Sequence, residues 1–230
     1  MSEPNTPFSD RSTLNNYAEK TARIVPGLRD MQTMAALLVA ERAPASANVL
    51  VIGAGGGMEL VALAEAHPQW RFVGVDPSQP MLDIAAATLG PLAERVQLHH
   101  GYTDTSPAGP FDAATCLLTM HFVAIEERRS TLKEIHRRLK PGAPFVMAHL
   151  SFPQAPEERA LWLSRYAAFA IASGVEPENA RKAASTIGST LPLLGPEQEE
   201  ELLEEAGFTN VRVFYAGMAF RGWVAQASGE

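Results

Sequence analysis

Apolar residues fall along the chain in two rhythms. Near-continuous runs at residues 49–52 (VLVI), 72–75 (FVGV), 111–118 (FDAATCLL) and 144–150 (PFVMAHL) are strand length and too unbroken for a one-sided sheet. They predict parallel strands covered on both faces, with residues 96–100 as a shorter one between the second and third runs. Segments with helical spacing lie between them. Residues 58–66 form one, residues 80–89 another with Met81, Leu82, Ala85 and Leu89 as its buried stripe, and residues 126–140 a third, ended by Pro141-Gly142. Strands alternating with helices imply right-handed crossovers and a doubly wound, mostly parallel sheet.

The flanks have their own patterns. Residues 1–10 are polar with two prolines and predict a mobile arm. Residues 12–25 can form a helix with Leu14, Tyr17, Ala18, Thr21 and Ile24 near one face, stopped by Pro26-Gly27, and residues 30–42 form a second, ending before Pro44. After the fifth strand the rhythm changes: residues 155–173 and 178–189 predict two inserted helices, the first with Leu161, Trp162, Leu163, Tyr166, Phe169 and Ile171 pointing several ways. Open α/β sheets bind ligands at the carboxyl ends of their strands, so the insertion is a candidate lid over a substrate, a homodimer contact, or both. Pro196 then starts a helix that Gly207 closes, and residues 208–215 and 219–227 alternate as an antiparallel hairpin joined at Ala216-Gly217. The expected fold is α/β, with a seven-stranded, mostly parallel sheet, an antiparallel C-terminal hairpin and a helical lid. It forms one domain: leading arm and helices in 1–44, core in 45–152, lid in 153–195, and the closing helix and hairpin in 196–230.

Composition narrows the function. With 46% hydrophobic and 20% charged residues, the 230-residue chain is an ordinary globular mixture. Its net charge of −7 disfavours bulk nucleic acid as a partner. The basic residues of 126–140 alternate with Glu126, Glu127 and Glu134, as on a solvated face held by charge pairs. A single cysteine, Cys116, excludes an internal disulfide and a thiolate metal cluster, and no metal is expected. There is no signal-like start and no apolar run of membrane-spanning length, so a cytoplasmic location without membrane contact is expected.

The chemistry centres on NVLVIGAGGGMEL at residues 48–60. A strand running through four glycines into a helix leaves backbone N–H groups free to face a ligand. A triphosphate loop would need Lys followed by Ser or Thr, which is absent. A dinucleotide fingerprint would need Gly or Ala where Met58 stands. The spacing that fits is G-x-G-x-G at Gly53, Gly55 and Gly57, and Asp76 closes the second strand where a carboxylate can accept hydrogen bonds from ribose hydroxyls.

NVLVIGAGGGMEL, RFVGVDPSQPML, FDAATCLLTMHFV, EIHRRLKPGAPFVMAHLSF and LLEEAGFTNVRVF, in that order, resemble the successive motifs of class I S-adenosylmethionine (SAM)-dependent methyltransferases. The resemblance implies SAM as cofactor and a small-molecule acceptor. It implies cofactor contacts from Gly53, Ala54, Gly55, Gly57, Asp76, Pro77, Met81, Tyr102, Thr103 and Leu117, with Tyr17 and Arg23 of the leading helices near the methionine carboxylate. Two positions depart from the family pattern: Val51 stands where an acidic residue is usual, and Tyr102 where many members have an Asp for adenine. Methyl transfer needs a general base only when the acceptor is a hydroxyl or a protonated amine. His121, after the fourth strand, is the candidate base, with His149 second.

Within that superfamily the layout also resembles carboxy-SAM synthases of tRNA modification. Ala184 and Leu28, however, stand where those enzymes have an Arg for the extra carboxylate and a Tyr, and Arg181 and Lys182 are off register. A carboxy-SAM synthase, a SAM-fold binding protein without catalysis, and a nicotinamide-dependent oxidoreductase are the alternatives.

Overall fold

The computed structural model describes residues 17–229; the residue 1–10 arm, the start of the first helix and the Tyr17 side chain lie outside the described residues. Two helices, α1 (Tyr17–Ile24) and α2 (Leu28–Ala40), precede β1 (Asn48–Ile52). The core continues with α3 (Met58–Ala66), β2 (Arg71–Asp76), α4 (Gln79–Leu89), β3 (Val96–His100), β4 (Ala113–Leu117), α5 (Ile125–Arg137) and β5 (Pro144–Leu150). The insertion is α6 (Pro156–Ala172) and α7 (Pro177–Thr190), followed by α8 (Pro196–Glu205), β6 (Phe208–Gly217) and β7 (Phe220–Ala227).

The seven strands form one sheet in the order β3-β2-β1-β4-β5-β7-β6. Pairs among β1 to β5 are parallel, while β5–β7 and β6–β7 are antiparallel. Side chains alternate across a strand, and β1 feeds two separate cores. Val49 and Val51 pack with Met31, Val39 and Leu60 on one face, Leu50 and Ile52 with Leu132, Ile135 and Trp223 on the other. Every residue of β4 and β5 is buried, which is why their sequences carry no polar alternation. The chain reverses direction across the sheet between β1 and β4, and the crevice at their carboxyl ends is the topological switch point.

The insertion does not stand free of the core. Tyr166 and Ala167 of α6 and Ala184 of α7 join the core that holds Val49 and Val51, and the Tyr166 ring lies 6.3 Å from Phe220.

Three expectations are corrected. The second helix begins at Leu28 rather than residue 30, because Gly27 turns left-handed (φ 59°) and its carbonyl takes the Met31 N–H at 2.8 Å, so Pro26-Gly27 bends the chain straight from α1 into α2. The hairpin turns at Met218-Ala219, not Ala216-Gly217. Gly217 stays in the ladder opposite Phe220, where a Cβ would come within 2.1 Å of the Tyr215 hydroxyl oxygen, so that glycine makes room for the ring. The basic helix is only partly a solvated face. Arg137–Glu134 and Arg129–Glu205 are exposed pairs of the expected kind, but Arg128 and Arg138 are buried. Arg138 reaches under the sheet edge to donate to the Asp104 carbonyl at 2.8 Å.

Candidate functional site

β1 ends where the Gly53 and Ala54 N–H groups both donate to the Val75 carbonyl, at 2.8 and 2.9 Å, tying the glycine loop to the end of β2. The three spaced glycines have three different reasons. At Gly53 (φ 73°) a Cβ would lie 1.9 Å from the Thr119 hydroxyl, so the loop packs directly on the turn after β4. At Gly57 (φ 86°) it would meet the Ala85 Cα at 3.0 Å, so this glycine lets α3 and α4 approach. At Gly55 (φ 51°) a Cβ would make ordinary contact with the end of Met81, 3.6 Å away, so the left-handed backbone rather than crowding is what calls for glycine here.

Asp76 faces this loop from the end of β2. Its Oδ2 accepts the Gly55 N–H at 2.9 Å and its Oδ1 the Ser78 N–H at 2.8 Å. Burial pushes its carboxyl above the usual carboxylate range, partly offset by those two amides and by His100. Met81 is buried beneath Gly55, Pro77 is exposed at the rim, and Leu117 closes β4 behind the loop. Leu28, Met31 and Gln32 of α2 roof a small cavity of about 30 Å³ over residues 53–56, Met58, Glu59, Leu117 and Leu118, placing a leading helix over the loop as expected. Across the crevice Thr103 is buried and the Tyr102 ring is 61% exposed. The Thr105 hydroxyl bridges the Tyr102 amide and carbonyl at 3.2 and 2.9 Å, so that residue's backbone is already engaged. Arg23 is exposed and paired with Glu19 on α1, and it does not line the cavity.

Sequence reasoning missed Glu59. It occupies the first turn of α3, buried at 7% exposure, and its Oε1 has no hydrogen-bond partner among the described residues. Burial pushes its carboxyl up to about 8, with Thr115 and the Leu117 backbone pulling it part of the way back. The signal in the sequence was an acid inside the otherwise apolar opening of MELVALAEA, in a chain that lacks the usual acid at Val51.

His121 sits in the single helical turn Met120–Phe122 after β4, buried, with its Nδ1 accepting the Leu150 N–H at 3.4 Å. Burial, then His149 and Arg128, hold its imidazole well below its usual pKa, so the ring is neutral. With Nδ1 as acceptor, the neutral ring carries its proton on Nε2 and offers a donor rather than a lone pair. Beneath it lies a buried polar cluster. His149 Nδ1 faces the Leu150 carbonyl at 3.0 Å, and its Nε2 lies 3.6 Å from Glu199 of α8. Glu199 also pairs with Arg128, which donates to the Pro192 carbonyl and, through Nε at 3.2 Å, to Val123. His149 is therefore wholly internal, and His121, only 5% exposed, does not line the cavity over the glycine loop.

Comparison with known proteins agrees with this geometry. Residues 50–145 match a family model described as a methyltransferase domain. Over 223 residues the chain is 26% identical to a carboxy-S-adenosyl-L-methionine synthase of Chromohalobacter salexigens, covering 94% of this chain and 82% of that one. It is 34% identical over 136 residues to a demethylmenaquinone methyltransferase of Lactiplantibacillus plantarum, covering 57% and 55%. In three dimensions a putative O-methyltransferase from Nostoc punctiforme superposes with a TM-score of 0.69 at 17% identity, covering 98% of this chain and 63% of that one. The chain is thus similar to SAM-dependent methyltransferases: a methyltransferase-domain match covers residues 50–145, and a solved methyltransferase-like structure shares its fold.

Proposed function

We propose that the enzyme moves the SAM methyl group to a small-molecule acceptor held between the β4 and β5 ends and the α6–α7 insertion. The observation that carries this is the cavity over the glycine loop at the β1/β4 switch point, lined by Gly53, Gly55 and Gly56, with the Asp76 carboxylate hydrogen-bonded to the Gly55 amide. The residues fit the cofactor. Asp76 uses one hydrogen bond per oxygen on the loop, leaving further acceptor capacity for ribose hydroxyls. The exposed Tyr102 ring suits stacking on adenine better than its engaged backbone suits reading it. Leu117 lines the cavity, and Met81, Pro77 and Thr103 are the residues that we assign to its remaining walls. Bound there, SAM supplies a methyl carbon that is already electrophilic on its sulfonium. The protein's share is then alignment of the nucleophile and exclusion of water.

A small acceptor is favoured because the basic helix keeps Arg128 and Arg138 inside the fold, and its exposed Arg129, Arg137 and Lys140 are paired with Glu205, Glu134 and Asp112, on a chain of net charge −7. The similarity to a carboxy-SAM synthase supports a second reading. Against it, Ala184 and Leu28 are buried apolar contacts, and Arg181 and Lys182 are exposed, so α7 turns no cation inward for an extra carboxylate. Mass spectrometry of the small molecule that copurifies decides between them: SAM or its demethylated product is expected, and carboxy-SAM would establish the second reading. We place the enzyme in the cytoplasm on its single buried cysteine; no helix of the described residues is long and apolar enough to cross a membrane.

His121→Asn is expected to lower single-turnover rate by about 100-fold or more if the acceptor is a hydroxyl and the ring exchanges its Leu150 contact for the acceptor's proton. SAM affinity should stay nearly unchanged. A wild-type rate with a lowered thermal midpoint would assign His121 to packing instead. For the insertion, an acceptor-site ligand added to the SAM-saturated enzyme is expected to slow hydrogen exchange in α6 and α7. Unchanged exchange would leave these helices as a contact between two copies of the chain.

A further inference from the structure

We propose that the Glu59 carboxylate, entering the site from the first turn of α3, is the counter-charge for the ammonium of the cofactor's methionine half, replacing the acidic residue that β1 lacks at Val51. The proposal rests on the SAM reading of the crevice and goes beyond it, because nothing in the glycine spacing calls for an acid at this position. Three observations carry it. Glu59 lines the cavity formed by Gly53, Gly55, Gly56 and Leu117, with α2 as its roof. It is buried, and its Oε1 lacks any partner among the described residues, an arrangement that costs free energy unless a donor arrives. The Thr115 hydroxyl beside it steadies the Glu59 carboxyl and makes no other hydrogen bond among the described residues, so a ligand's –NH₃⁺ could be shared by both groups.

The electrostatics agree with a cation subsite. Burial holds the proton on Glu59, whose pKa is pushed up to about 8. The positive end of α3 favours the carboxylate but does not outweigh desolvation. Cys116 of β4 couples to it electrostatically, its thiol pushed up mainly by burial and so neutral. Arg29 and Asp30 of α2, Glu65 of α3 and Asp83 of α4 are exposed, and Asp76 is held by the Gly55 and Ser78 amides. An arriving ammonium is thus the group that converts the acid to a carboxylate. Cofactor binding near pH 7 should release about one proton from Glu59 to the buffer.

The test is calorimetry at pH 7 with SAM, S-adenosylhomocysteine and 5′-methylthioadenosine, which lacks the amino-acid half, in buffers of different ionisation enthalpy. Wild type should release close to one proton with S-adenosylhomocysteine and none with methylthioadenosine. Glu59→Gln, isosteric with the protonated acid, should release none. It should bind SAM and S-adenosylhomocysteine about tenfold to a hundredfold more weakly and methylthioadenosine unchanged. A difference infrared spectrum of wild type should lose a protonated-carboxyl band on adding S-adenosylhomocysteine, which reads the same event without a mutant. Equal weakening of all three ligands, or unaltered binding of the first two, overturns the proposal. Failure of wild type to bind any of the three overturns the SAM reading itself, and the proposal with it.

Discussion

Glu199→Ala is expected to cost about 3–5 kcal/mol of stability, the usual consequence of leaving a buried charge without its partner. Arg128 and Glu199 are both fully buried and 71 residues apart in sequence. Burial pulls the Arg128 guanidinium down and Glu199 pulls it back up, the balance of a pair held together by necessity rather than by surplus attraction. The same guanidinium donates to Val123 and Pro192 carbonyls, which anchor the segment after the His121 turn and the one before α8. Losing the carboxylate frees both carbonyl contacts to shift and takes away the group facing His149 Nε2. Because a domain of this kind is stable by only about 5–15 kcal/mol, the variant should be near unfolding at 37 °C. Urea titration checks this, and Arg128→Met combined with Glu199→Leu should lose less than the two single changes summed. A loss below about 1 kcal/mol for Glu199→Ala would mean that the pair behaves like an exposed one.

Unliganded enzyme is expected to lose stability as pH rises from about 4.5 toward 8, while Glu59→Gln holds nearly level through that window. The sign follows from the direction of the shift. Glu59 titrates at about 8 in the folded chain against 4.5 ordinarily, so between those values the folded state binds the extra proton. The stabilisation is complete below 4.5 and gone above about 8. A gap of that size corresponds to roughly 3–5 kcal/mol as an upper figure. Thermal midpoints at pH 5 should therefore nearly coincide for the two proteins, and at pH 8.5 the wild type should melt several degrees lower. Saturating S-adenosylhomocysteine should flatten the wild-type curve, because the carboxylate then has its partner. Parallel curves for both proteins across the range would show that Glu59 carries no such proton.

The sheet was legible because strands covered on both faces must be apolar throughout, so VLVI, AATCL and PFVMAHL could be little else. Gly53, Gly55 and Gly57 were legible as a loop, although their separate duties, packing on Thr119, turning left-handed beside Met81 and admitting Ala85, are tertiary facts. Arg128 and Glu199 were not legible as a pair: each sits among like neighbours in a charged helix, and only the docking of α8 against α5 brings them together. Gly217 misled for a similar reason, since what it accommodates is the Tyr215 ring rather than a turn. Glu59 was hidden because an acid in a helix's first turn already has an ordinary explanation in the helix dipole.

If SAM binds on the glycine loop with its ribose on Asp76, as proposed, calorimetric titration of SAM into wild type and Asp76→Ala will show it. Asp76 also braces the loop through the Gly55 and Ser78 amides, so circular dichroism must first show the variant folded. The account predicts saturable binding to wild type, none of comparable strength for NAD, and an affinity for the variant weaker by roughly tenfold to a hundredfold, as loss of hydrogen bonds to a charged acceptor implies. Equal SAM affinity in wild type and a folded Asp76→Ala would contradict it.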